Sequence, residues 1–177
     1  MGYRVICVEG LSRSIAHNGI LFIPRKTSNN INDLLRTKHH VLKVYLVSSP
    51  NDLKSYPKLR SIVALVCLSS KAFSVLTPKH VERLITLGLP IELAIRDVYK
   101  VVNEGRNLKG LDYLVSAVES GRLRLIACSG ASTYLELLHP KVITSTLIEL
   151  GVDEVNALKA VTSTPAKVIR GLRHGGR

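Results

Sequence analysis

Apolar residues in this chain come in short unbroken runs, divided by small or polar turns. Runs at 3–8, 20–23, 41–47, 61–68, 89–95 and 123–128 are apolar at nearly every position, which is how strands buried on both faces read. The run at 20–23 is stopped by Pro24-Arg25-Lys26. Between the runs the period changes to that of helices. Val81, Leu84 and Ile85 follow a start signal at Thr77-Pro78, and Gly88 ends that segment. Leu111, Leu114, Val115 and Val118 form the inner face of a helix over 109–120, closed by Gly121. Val142, Ile143, Leu147, Ile148 and Leu150 follow Pro140 and precede Gly151, which suits the residue after a helix end. Asp153 can cap the next helix, and Thr164-Pro165 begins or interrupts the last. Shorter helices are predicted near 34–38, after the caps at 29–33, and at 51–56, closed by Pro57.

Strand, turn, helix, strand repeats about six times, and uniformly apolar strands alternating with helices predict an α/β protein with a parallel sheet covered on both faces. Two closures satisfy the pattern: a doubly wound open sheet, or a small barrel well under the roughly 250 residues of an eight-unit one. No linker or low-complexity tract splits the 177 residues. The expectation is one domain over 1–172 and a basic, mobile tail over 173–177.

Composition sharpens this. Hydrophobic content of 46% and charged content of 21% describe a globular chain. The longest apolar run, near 62–68, is far short of the roughly 20 residues of a membrane helix. Met1-Gly-Tyr-Arg has neither the basic head nor the apolar core of a secretion signal, so a cytoplasmic location without membrane contact is expected. The net charge of +12 points to a polyanionic partner, nucleic acid first. With 5% aromatic residues and no Trp, stacking on single strands is a poor fit, and phosphate contact a better one.

The usual reagents are missing from the sequence. Cys7-Val-Glu-Gly10-Leu-Ser12 is not a dinucleotide fingerprint, there is no P-loop, and Cys128-Ser129-Gly130-Ala131 is not a nucleophile elbow. None of the six histidines ends a predicted strand, as a hydrolase metal site on a barrel would require. Cys7, Cys67 and Cys128 each lie in an apolar run and read as buried small side chains, although their placement could also gather them at one rim as metal ligands. What stands at the strand ends is positive or small and polar: Arg25-Lys26, Ser48-Ser49, Ser69-Ser70-Lys71, Arg96 and Ser129. In a parallel fold these share the ligand-binding rim, where guanidinium, hydroxyl and backbone N–H groups suit phosphate oxygens.

The C-terminal part, over 62–171, resembles protein component 3 of archaeal ribonuclease P, related to the thirty-kilodalton subunit of the eukaryotic enzyme. The carriers are Gly88-Leu-Pro-Ile-Glu-Leu-Ala-Ile95 with Arg96, then Leu125-Ile-Ala-Cys-Ser129-Gly130-Ala131, then Pro140, Leu150-Gly151 and the Ala-rich stretch from Ala157 to Val161 ahead of Pro165. The resemblance implies a compact TIM-like (β/α) barrel of the polymerase-and-histidinol-phosphatase type without metal ligands, and the strand count allows it fewer than eight units. It implies a subunit that does not cut RNA itself. Such a subunit supports the catalytic RNA, whose magnesium is the RNA's own, in removing the 5′ leader of precursor tRNA. The implied partners are ribonuclease P RNA, precursor tRNA, protein component 2 and the other archaeal ribonuclease P proteins. No catalytic residue, metal ligand or cofactor is assigned to the chain. Arg96 and Ser129 at the rim, with Lys100, Arg106, His139 and Lys141 nearby, are the residues expected to contact RNA. Three positions depart from the family pattern: its second Ser is Gly130 here, its Arg before the Pro is His139, and its Asp two residues after the Pro is Val142. The alternative is a metal-dependent hydrolase of the same barrel superfamily, suggested by the likeness of 157–169 to the closing helices of amidohydrolases.

Overall fold

A computed structural model describes residues 4–9, 15–17, 20–38, 41–55, 59–131 and 136–174. The strands are β1 (Arg4–Glu9), β2 (Ile15–His17), β3 (Ile20–Ser28), β4 (Leu42–Val47), β5 (Leu65–Leu68), β6 (Ile91–Ala94) and β7 (Leu125–Cys128). The helices are α1 (Ile31–Leu35), α2 (Ser70–Phe73), α3 (Pro78–Leu87), α4 (Ile95–Asn103), α5 (Lys109–Glu119), α6 (Pro140–Glu149), α7 (Glu154–Val161) and α8 (Ser163–His174), with a 3-10 turn at Pro50–Ser55. No helix among the described residues is long and apolar enough to cross a membrane.

The chain is α/β with a parallel sheet, as the run pattern requires. Strand order is β1-β3-β4-β5-β6-β7, every neighbouring pair parallel, and β2 adds to β3 in antiparallel sense. Apart from the β2 hairpin, order along the chain is order across the sheet. A doubly wound sheet would reverse direction at a switch point, and this one does not.

The strands present two different faces. Tyr45, Val47, Val66, Leu68, Ile91, Leu93, Leu125 and Ala127 join the larger core with Phe73, Leu84, Leu111, Leu114 and Leu147 from the helices. Leu42, Val44, Leu65, Cys67 and Ile126 form a second cluster, closed by Ile169 of α8. The alternation within each strand separates these sets, because successive side chains point to opposite faces.

Several helix ends follow the sequence signals. Thr77 is the N-cap of α3 with Pro78 in its first turn, and its N–H donates to Nδ1 of His80 at 3.2 Å. Asp153 caps α7 by accepting from the Asn156 N–H at 2.9 Å.

Four expectations are corrected. β3 does not stop at Pro24 but runs to Ser28. Pro24 is aligned with Val8 on one side and precedes by one residue the first position aligned with β4, so its missing N–H falls where that edge has no partner. The run at 61–68 is strand only over its last four residues; the N–H groups of Ile62 and Val63 both donate to the Leu59 carbonyl, making a helical turn whose Val63 is buried. The run at 89–95 ends at Ala94, and Ile95 already belongs to α4, whose buried Ile95, Val98 and Val101 recur at helical spacing. In α6 only Ile143 and Leu147 of the expected apolar face are buried, while Val142 and Ile148 are exposed. The short β2 had no expectation attached. Pro57 and the pair His39-His40 lie outside the described residues, and α8 extends to His174.

Candidate nucleic-acid interface

The C-terminal ends of β6 and β7 meet in one joint. Ala94 is both the last residue of β6 and the N-cap of α4, so strand passes into helix with no loop and Arg96 stands in the helix's first turn. Arg96 is therefore a helix residue, not the strand-end turn residue expected. Its backbone N–H donates to the Ser129 carbonyl at 3.1 Å. The Ser129 hydroxyl oxygen accepts from the Ala131 N–H at 3.2 Å, which leaves its proton to be donated. Gly130 completes the joint at φ +72°, and a Cβ there would lie 2.9 Å from the Ala94 Cβ and 3.3 Å from the Arg96 Cβ. Both the backbone angle and the close approach call for glycine.

Lys100 is one helical turn beyond Arg96, and both are exposed. Asp97, half-buried between them, accepts from the Ser70 N–H and ties α4 to the start of α2. Burial raises its pKa, and Arg96, Lys100 and the Ser70 bond pull against that rise. Arg96 Nη1 lies 3.3 Å from Glu136 Oε2, with side chains 54% and 45% exposed, so the pair is solvent-screened and weak. Three residues later His139 caps α6, its Nδ1 accepting the Lys141 N–H at 3.2 Å. Tyr99 Oη and Thr146 Oγ1, 3.2 Å apart, connect α4 to α6.

Of the six residues expected to contact RNA, Arg96, Lys100 and Ser129 thus share one joint, and His139 and Lys141 open the helix bonded to it. Arg106 is different. It follows α4, whose nine residues span about 13 Å, and its Nε is held by Glu104 Oε2 at 2.7 Å.

Two other rim turns do not offer what the sequence suggested. The N–H groups of Ser48 and Ser49 both donate to Asp52 Oδ2, at 2.8 and 2.9 Å, so a carboxylate of the chain already fills that nest. Arg25 is not at a strand end. It lies within β3 on the face of the smaller apolar cluster, where Nη1 and Nη2 donate to Glu92 Oε1 and Oε2 at 2.7 and 2.5 Å, and Nε to Thr27 Oγ1 at 2.8 Å. The side chains are 12% and 2% exposed. Burial lowers the guanidinium's pKa, and the charge and hydrogen bonds of Glu92 more than reverse this, so Arg25 is held charged. The thiols of Cys67 and Cys128 look onto the same pair. Burial pushes both up first, Glu92's charge pushes them further, and Arg25 opposes. The only sequence trace of this pair is the one carboxylate inside Leu89-Pro-Ile-Glu-Leu-Ala-Ile95, which does not identify its partner.

The joint offers exposed guanidinium and ammonium groups, a hydroxyl donor and a rigid backbone, a set suited to binding phosphate esters. No protein-family model matches the chain, and no curated protein matches it either.

Proposed function

We propose that this chain is a protein subunit of ribonuclease P, of the component 3 type, which supports the catalytic RNA in removing the 5′ leader from precursor tRNA and works paired with protein component 2. The reading includes the finer fold, a TIM-like barrel of the polymerase-and-histidinol-phosphatase type with fewer than eight units, and a cytoplasmic location. One observation carries it. Two of the segments that carry the resemblance are neighbours in the sheet, aligned from Ile91↔Leu125 to Ala94↔Cys128, and end together at the Arg96–Ser129 joint. Sequential strand order supports the barrel, and the net charge of +12 supports the polyanionic partner.

In this reading the protein supplies no reagent. Arg96, Lys100 and Lys141 neutralise phosphates, releasing condensed counterions and lowering the salt that the RNA needs to fold and hold its substrate. Ser129 and His139 orient contacts at the same joint, while Arg106 contributes least because Glu104 already engages it. All three cations are exposed, so their removal spares the core. The test is binding of the cognate ribonuclease P RNA by the complex with component 2 over a range of salt. Replacing Arg96, Lys100 and Lys141 with Ala should reduce the slope of log affinity against log salt by about 2–3, and Arg106→Ala should change it little. An unchanged slope in the triple variant would remove the rim from the RNA face.

A further inference from the structure

A second basic site lies at the opposite end of the sheet, where β7 begins. A cleft of about 260 Å³ opens there between the end of α5, the segment leading into β7, α7 and the first turns of α8. Its polar lining is Arg124, Asn156, Lys159, Ser163, Thr164 and Lys167. A single water needs about 10–15 Å³, so the cleft has room for a tetrahedral oxyanion with part of its hydration shell.

Arg124, Lys159 and Lys167 line this space, and among the described residues no carboxylate does. Elsewhere on the surface Arg96, Arg106 and Arg122 each face a glutamate, whereas none of the ion pairs among the described residues involves Arg124, Lys159 or Lys167. Their fixed partners are neutral. Arg124 Nη2 donates to the Gly88 carbonyl at 2.6 Å, which anchors the guanidinium without cancelling its charge. Lys159 Nζ is 3.5 Å from Asn156 Oδ1. The carboxylate bonded to Asn156 is that of Asp153, and it is occupied in capping α7. Pro165 has no N–H, and the first bond into α8 from its own chain runs from the Ala166 N–H to the Thr162 carbonyl. The Ser163 and Thr164 N–H groups, with their two hydroxyls, therefore add donors to the cationic wall.

We infer that this cleft binds a phosphate group, either of a nucleic-acid backbone or of free phosphate. The chemistry is one: three cations and hydroxyl donors around a volume fit for a doubly charged oxyanion. The site is independent of the Arg96 joint and stands whether or not that joint contacts RNA.

The test titrates the full chain with inorganic phosphate while recording backbone amide NMR shifts, and separately measures oligouridylate affinity across salt. Both are repeated on Lys159→Ala/Lys167→Ala, two exposed positions, and on Arg96→Ala/Lys100→Ala as the control. Phosphate should shift the Ser163, Thr164 and Arg124 amides in the native chain and in the rim control, with at least tenfold weaker binding in the lysine variant. If the backbone is the source, that variant's salt slope also falls by about 1.4, a loss of about 25-fold in affinity at 0.1 M salt. Loss of the phosphate response with an unchanged slope assigns the site to free phosphate or its monoesters. Amides that ignore phosphate, together with unchanged oligouridylate binding in the lysine variant, overturn the inference. A lowered salt slope in the rim control bears on the proposed function alone, whereas loss there of the Ser163, Thr164 and Arg124 phosphate shifts also overturns the inference.

Discussion

A carboxylate as deeply buried as Glu92 costs several kcal/mol unless its charge is met in place. Arg25 meets it with two hydrogen bonds, and Thr27 holds the third face of the guanidinium. Removing one partner strands the other. Glu92→Ala should therefore lose about 3–5 kcal/mol, while Arg25→Met with Glu92→Leu should recover most of it, since apolar replacements of buried pairs are near neutral. Urea unfolding of the three proteins decides: a double variant as unstable as the single one contradicts this account of the pair. The flanking thiols give a second residue-scale prediction. Burial raises both above the ordinary 9.0, so as pH climbs the unfolded chain gives up those protons first. The stability conferred by neutral buried thiols is full below that value and falls above it, by about 1.4 kcal/mol per pH unit for each thiol. Unfolding at pH 8.5 and pH 10 should show the decline, and Cys67→Ala with Cys128→Ala should shrink it; an undiminished decline would refute the assignment. The apolar character of the two cysteines was legible in their runs, whereas the ion pair was not. A single Glu among apolar neighbours left the strand pattern intact, and its partner lies 67 residues away.

At the scale of elements, the joint between β6, α4 and the end of β7 positions the candidate site, and Gly130 decides how closely those parts approach. Gly121, at φ +69° with nothing within 4 Å of where a Cβ would stand, isolates the cost of backbone angle alone. Gly130→Ala should be less stable than Gly121→Ala by about 1 kcal/mol or more, because its Cβ also strikes Ala94 and displaces Arg96. Equal losses measured by chemical denaturation would mean that the close approach carries no energetic weight. Helix ends with side-chain signals, Thr77-Pro78 and Asp153, were readable from the sequence because capping is local chemistry. The turn at 59–63 was not, since a short apolar run reads alike as a strand or as a buried helical turn. α4 was missed for a similar reason: its Ile95, Val98 and Val101 spacing begins without a loop or cap to separate it from β6.

Across the whole molecule, the Arg25–Glu92 pair ties together strands that are not neighbours. β3 and β6 are separated by β4 and β5, about 14 Å along a flat sheet at ladder spacing. The two long side chains bridge that distance on the face where Ile169 of α8 packs. The class of fold was legible because uniform apolar runs leave few alternatives to a covered parallel sheet. The tie between β3 and β6 was not, because it depends on residues of distant strands. The charge of +12 was visible at once, but its division into a cationic rim and a basic cleft at the other end depends on which carboxylates neutralise which cations. The most direct measurement is cleavage of precursor tRNA by the cognate ribonuclease P RNA across magnesium concentrations, with and without this chain and protein component 2. The subunit reading predicts that the protein pair lowers the magnesium requirement while this chain alone cuts nothing. Cleavage that is unchanged by adding the pair, or cleavage by this chain without RNA, would contradict it.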